Sequence, residues 1–152
     1  MIERYTRPEM GALWTQDAKY QAWLDVELAA CRALAARGEI PAEALAEIAA
    51  KAAFDSARIA EIELEVKHDV IAFLTSVAEF VGPSSRFIHV GLTSSDVVDT
   101  GFGLQLKRSG ELLLKGMERV CAALEQLAWK YKDTVMMGRS HGINAEPITF
   151  GM

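Results

Sequence analysis

The sequence has 152 residues, 51% of them hydrophobic and 24% charged, with a formal net charge of −5. This is the composition of a soluble globular chain able to bury a core, and its acidic balance disfavours DNA or another nucleic acid polymer as the main partner, because phosphate binding needs a basic face. There is no run of about 18 uncharged apolar residues to span a membrane, and "MIERYTRPEM" lacks the apolar stretch of a signal peptide, so the expected location is cytoplasmic.

The pattern is helical almost throughout. From Asp17 to Arg37 the apolar residues Tyr20, Trp23, Leu24, Leu28, Cys31 and Leu34 recur at three- and four-residue spacing, and Gly38 supplies a stop. Pro41 then opens a short alanine-rich helix. A third helix is expected from about Asp55 to Val66. A fourth runs from about His68 through Ile71, Leu74, Val77 and Phe80 until "GPSS" ends it.

The longest element follows. From Ser94 to about Tyr131, the positions Val98, Phe102, Leu106, Leu113, Met117, Val120, Leu124, Leu127 and Tyr131 make one apolar stripe. It is far longer than the usual helix of roughly 11 residues, and such a helix implies a bundle or an oligomer. Gly101, Gly103, Gly110 and Gly116 interrupt it, each costing about 1 kcal/mol relative to alanine. Either another backbone approaches closely there or the glycines are simply tolerated. The last stretch, "TVMMGRSHGINAEPITFGM", reads as a loop up to Glu146, with a helix beginning after Pro147. A helix that begins and is at once cut off suggests the N-terminal portion of something longer.

Cys31 and Cys121 both sit on apolar helical faces far apart in sequence, which predicts packed, reduced thiols. All three histidines, His68, His89 and His141, fall at helix starts or in loops, each beside hydroxyl, charged or glycine neighbours. Taken singly, each is compatible with an ordinary hydrogen-bonded histidine. Their spacings of 21 and 52 residues match no short ligand motif, so no metal site is expected. In "RFIHVGLTSSDVVDT", Thr93 and Asp96 have the form of a capping box. One hydroxyl suffices for a cap, however, and Thr93, Ser94 and Ser95 supply three. Hydroxyls and free amides at the positive end of a helix make a pocket for a carboxylate or phosphate, and His89 beside it could carry a proton near neutral pH.

Four blocks carry a family resemblance: "FIH" with "GLTSSDVVDT", "KHDVIAF", "GRSHG" followed by "AEP" and "TFG", and "IERYTRPEM". In this order, across essentially the whole chain, they resemble the adenylosuccinate lyases of the fumarase/aspartase superfamily. The resemblance implies an all-α fold, with an N-terminal helical domain over residues 1–92 and, over 93–152, the first long helix of a central helical bundle. It implies a lyase of purine biosynthesis that eliminates fumarate from adenylosuccinate to give AMP, and likewise from the succinylated carboxamide ribotide, without a cofactor. It also implies a homotetramer with shared active sites that takes a small nucleotide substrate.

By motif, His141 resembles the general acid, His68 the residue that orients it or supports its charge, and His89 a further active-site histidine near the phosphate. Thr93 and Ser94, with the hydroxyl of Ser95 beside them, are similar to holders of the succinyl carboxylate. Lys67 and Asp69 resemble substrate contacts, and Arg4 and Tyr5 contacts for the phosphate end. The family's general base is similar to a serine on a Gly-, Ser- and Met-containing loop much later in the chain, and these 152 residues contain no such segment. The isolated chain is therefore expected to be inactive. Asn144 stands where a second histidine is usual and Ile148 where a threonine is usual. Asparagine can hydrogen-bond substrate but cannot relay protons at neutral pH. A related fumarate-releasing lyase of argininosuccinate lyase or fumarase type, and a non-catalytic helical oligomerisation module, are the alternatives.

Overall fold

The computed structural model describes residues 2–151. Apart from one two-stranded hairpin the fold is all-α: α1 (Pro8–Ala12), α2 (Gln16–Ala36), α3 (Ala42–Lys51), α4 (Ser56–Val66), α5 (Asp69–Val81) and α6 (Ser94–Lys130), then β1 (Val135–Ser140) and β2 (Ile143–Thr149). Short 3-10 turns cover Glu3–Tyr5 and Gly82–Phe87. Two compact units are present, one ending at Ser109 and the other starting at Gly110.

Local chemistry sets the helix limits in the first unit. The Thr15 hydroxyl accepts the Ala18 N–H at 3.1 Å and opens α2, and the Asp55 carboxylate accepts from Ala57 and Arg58 at 2.9 and 3.1 Å to open α4. Lys67 ends α4 in the left-handed conformation, and the next residue, His68, is already the N-cap of α5. The two helices thus meet at a corner of only two residues.

The core is aromatic at its centre. Phe73 is fully buried, stacks on Tyr20 at 5.8 Å and meets Trp23 edge-on at 5.5 Å, arrangements favoured by the ring quadrupoles. Ile48 from α3, Ile59 from α4, Val77 and Val81 from α5, and Val97 from α6 close around them. The start of α6 buries Val97, Gly101, Gln105 and Ser109, four residues apart along one seam. There the Gln105 amide donates to the Leu13 carbonyl at 2.7 Å, and Arg108 pairs with Asp25 at 2.9 Å.

The second unit contains the rest of α6 and the hairpin. The expectation of a loop to Glu146 and a helix after Pro147 is not met: β1 and β2 pair antiparallel, with Ser140 opposite Ile143 and Met137 opposite Pro147. His141 and Gly142 form the two-residue link, with φ of 52° and 76°, the signature of the primed turns that match strand twist. In a two-stranded ribbon both strands are edges, so Pro147 can sit in β2 without breaking a ladder. Tyr131 meets Phe150 edge-on at 5.4 Å, and the Phe150 N–H donates to the Thr134 carbonyl at 2.9 Å.

The expectation of two packed thiols is corrected, and the alternatives left open for the glycines are divided between them. Cys31 is buried, but Cys121 is exposed, because the part of α6 that carries it presents its apolar side chains to solvent within this chain. Of the four helix-interior glycines, Gly101 faces the Trp23 side chain and Ala22 backbone, whereas nothing lies within 4 Å of a Cβ at Gly103, Gly110 or Gly116.

Candidate active site

The corner between α4 and α5 brings Lys67, His68 and Asp69 together as consecutive residues. His68 Nδ1 accepts the Ile71 N–H at 3.4 Å as the helix cap and lies 3.5 Å from Asp69 Oδ1. The first contact needs a lone pair on Nδ1 and the second a proton, so ring protonation would exchange the cap for the carboxylate. Asp69 is itself held, its Oδ1 accepting the Val70 N–H at 2.7 Å. Both side chains remain about half exposed, at 46% and 48%, and so are accessible to a ligand.

His89 lies in the link between the second 3-10 turn and α6, with φ of 67°. Its backbone N–H donates to Glu27 Oε2 at 3.0 Å, and its Nδ1 lies 2.6 Å from Glu27 Oε1. The link then runs directly into Thr93, whose N–H donates to Asp96 Oδ2 at 2.8 Å. This is the reach-back bond of a capping box made with aspartate. Thr93 and Ser95 are exposed and Ser94 is half-buried. The start of this 37-residue helix therefore presents hydroxyls at the positive end of its dipole.

Arg4 and Tyr5 share the first 3-10 turn, the guanidinium 4.8 Å from the centre of the Tyr5 ring, and both are exposed. His141 stands at the tip of the hairpin and Asn144 opposite Arg139 near it. Both belong to the second unit.

Among the described residues, the non-glycine residues with positive φ are Lys67, His89 and His141, all three singled out from the sequence. Left-handed backbone is uncommon outside glycine, least so for Asn, Asp and His, and it gathers at functional positions. Each has a local cause: a helix C-cap for Lys67, a two-residue turn for His141, and the Glu27 clasp for His89.

Glu27 was not anticipated. It is only 1% exposed and occupies the apolar face of α2 between Trp23 and Cys31, where a lone acid at core spacing was the available signal. Cys31, four residues on, donates its thiol to the Phe87 carbonyl at 3.7 Å. Burial, then the nearby Glu27 charge, push this thiol's pKa up, so it stays a protonated donor.

A surface recess of about 300 Å³ is lined by Asp55, Arg58, Glu79 and Phe80, none of them a candidate site residue of the sequence analysis. Among the described residues no group of three or more His, Cys, Asp or Glu side chains could hold a metal ion, and no helix is long and apolar enough to cross a membrane.

Residues 3–152 match the model of a family described as lyase. The chain belongs to the lyase family. This lyase chain is 59% identical over 151 residues to an adenylosuccinate lyase of Synechocystis sp., covering 99% of this chain and 35% of that protein. It is 49% identical to an adenylosuccinate lyase of Bacillus subtilis, covering all of this chain and 35% of the relative. Among solved structures it resembles a fumarate lyase from Mesorhizobium sp., with a TM-score of 0.88 and 29% identity over 97% of this chain and 36% of that one. It thus spans about a third of the length of the curated relatives it matches.

Proposed function

We propose that this chain is the N-terminal third of an adenylosuccinate lyase of purine biosynthesis, with residues 1–92 as its helical domain and 93–152 as the opening of its bundle domain. The observation that carries this reading is the 59% and 49% identity to two adenylosuccinate lyases along essentially the whole chain, and Lys67, His89 and His141, all in left-handed backbone, add to it. These residues lie in the three sequence blocks that the resemblance assigns to substrate binding and proton transfer. High identity to adenylosuccinate lyases along the whole chain supports the same substrate.

In the proposed reaction a base removes the proton next to a succinyl carboxylate. The electrons left behind form the double bond of fumarate, the carbon–nitrogen bond breaks toward nitrogen, and an acid protonates that nitrogen to leave AMP. The succinylated carboxamide ribotide reacts in the same way. His141 is the acid and His68 supports its charge. Thr93, Ser94 and Ser95 hold the succinyl carboxylate through hydroxyls and helix-start amides, which act where negative charge develops. Arg4, Tyr5 and His89 serve the phosphate end, Lys67 and Asp69 flank His68 on the substrate, and Asn144 adds a hydrogen bond. The base comes from a segment outside these residues. A cytoplasmic homotetramer with shared sites fits the apolar face that the second unit leaves exposed, from Leu113 and Met117 to Leu124.

The test is release of AMP and fumarate from adenylosuccinate by the protein translated from the complete coding frame, with the 152-residue chain alone inactive. Fumarate release from argininosuccinate in place of adenylosuccinate would substitute the related lyase reading. Turnover by the short chain alone would refute the external base.

A further inference from the structure

Of the buried polar side chains among the described residues, Glu27, Ser76, Gln105 and Ser109, Glu27 is the one acid. Burying a carboxylate is costly unless its lone pairs are used. Here both oxygens are spent on one residue: Oε2 accepts the His89 backbone N–H at 3.0 Å, and Oε1 lies 2.6 Å from His89 Nδ1. One turn along α2, the Cys31 thiol holds the Phe87 carbonyl. Two side chains four residues apart therefore fix the path of residues 87–89 and keep His89 at φ 67°.

The clasp also decides where the ring carries its hydrogen. A carboxylate has no hydrogen to give, so Nδ1 must be the donor at 2.6 Å whether the ring is neutral or charged. The remaining nitrogen, Nε2, is then an acceptor in the neutral ring and a donor to anions in the charged one. The ring keeps 19% of its exposure. Metal-ligand histidines are oriented by carboxylates in the same manner.

We propose that Glu27 is a positioning residue that fixes the His89 hydrogen on Nδ1 and so reserves Nε2 for the substrate. The inference rests on the reading that puts His89 at the phosphate end of the substrate.

Glu27→Gln is nearly isosteric and makes the test. A glutamine oxygen can accept only one of the two His89 hydrogens, and its NH2 group then faces the other partner. With the backbone N–H taken by oxygen, the NH2 must donate to Nδ1, which drives the hydrogen to Nε2. Nitrogen-15 spectra of histidine-labelled full-length protein, taken well above the ordinary histidine pKa of about 6.5, read this directly. The expected result is an Nδ1–H ring in the unsubstituted protein and an Nε2–H ring in Glu27→Gln; with an amide N–H facing Nδ1 the inverted ring offers the phosphate a neutral donor in place of a charged one, so KM rises about tenfold with kcat within a few-fold.

An Nε2–H ring in the unsubstituted protein overturns the inference with no variant needed, so it stays testable if Glu27→Gln fails to fold. An unchanged ring in folded Glu27→Gln overturns it as well. Inversion of the ring without any kinetic change removes His89 from the substrate, and the inference with it, while leaving the Glu27 contact intact. Normal ring behaviour in a protein that does not turn over adenylosuccinate overturns the proposed reaction instead.

Discussion

A Cβ placed at Gly101 would lie 2.8 Å from Trp23 Cδ1 and 3.6 Å from the Ala22 carbonyl carbon. The glycine is therefore what lets α6 lie against α2 at the aromatic centre of the core. Gly101→Ala gains about 1 kcal/mol of helix propensity but forces a rigid indole to move in a close-packed interior, which costs about 1–3 kcal/mol. The expected outcome is net destabilisation in urea unfolding. Gly103→Ala, with nothing near its added methyl, is the control and should gain up to about 1 kcal/mol. Equal effects at the two positions would disprove the packing account.

Helices α2 and α5 were readable because each couples an apolar period to a stop signal: Tyr20, Trp23 and Leu24 fall on the buried face of α2, which ends two residues before Gly38, and α5 ends at Val81, just before "GPSS"; the five-residue α1, too short to show a period, was not. The approximate starts read at Asp55 and His68 prove to be the N-caps of α4 and α5, although no stop signal marks the corner between the two helices. The hairpin was not, because its strands lack clean alternation, its turn is His-Gly rather than the usual Asn-Gly, and Pro147 mimics a helix start. Among site residues, the Thr93–Asp96 cap was legible at the level of spacing. Glu27 was missed because its partner lies 62 residues away, a relationship that periodicity along one helix cannot reveal.

Acid stability should depend on the Arg58 fork. Arg58 donates to Glu79 through Nε and Nη2, and these bonds, ahead of its charge, hold the Glu79 pKa below the ordinary carboxylate range. A carboxyl whose folded pKa is depressed contributes stability above its unfolded pKa and loses it as pH falls through the folded value. Unfolding free energy should therefore drop between about pH 5 and pH 3, around the ordinary glutamate range. In Glu79→Gln that drop should be shallower. Both partners are partly exposed, so the difference is small and should shrink further in high salt. An unchanged slope in Glu79→Gln would remove the pair from the pH response.

Association should depend on the outer face of α6. Leu113 is 63% exposed, Met117 62% and Leu124 60%, positions that recur along one side of the helix. Burying a leucine stabilises by about 1.5–3 kcal/mol, so Leu113→Glu with Leu124→Glu should weaken self-association by at least about a hundredfold. Sedimentation of the full-length protein at several concentrations measures this. Melting of the first unit, whose core lies elsewhere on the chain, should barely change in the same variant. A full-sized assembly in the double variant would show that another surface holds it.

His141 needs a variant that separates its chemistry from its backbone. Its φ of 52° makes His141→Ala an ambiguous test, since a left-handed alanine costs about 1–2 kcal/mol and loosens the turn as well as removing the imidazole. Asparagine tolerates left-handed backbone and is at home beside glycine in a two-residue hairpin turn, yet it cannot deliver a proton at neutral pH. His141→Asn should therefore keep the melting temperature while lowering kcat by about 10²–10⁴, the usual worth of a positioned general acid, with KM within a few-fold. His141→Ala should show the same loss of turnover with a lower melting temperature in addition. If His141→Asn turns over adenylosuccinate at nearly the normal rate, the proton for the departing nitrogen comes from another group, and the histidine at the hairpin tip serves the turn alone.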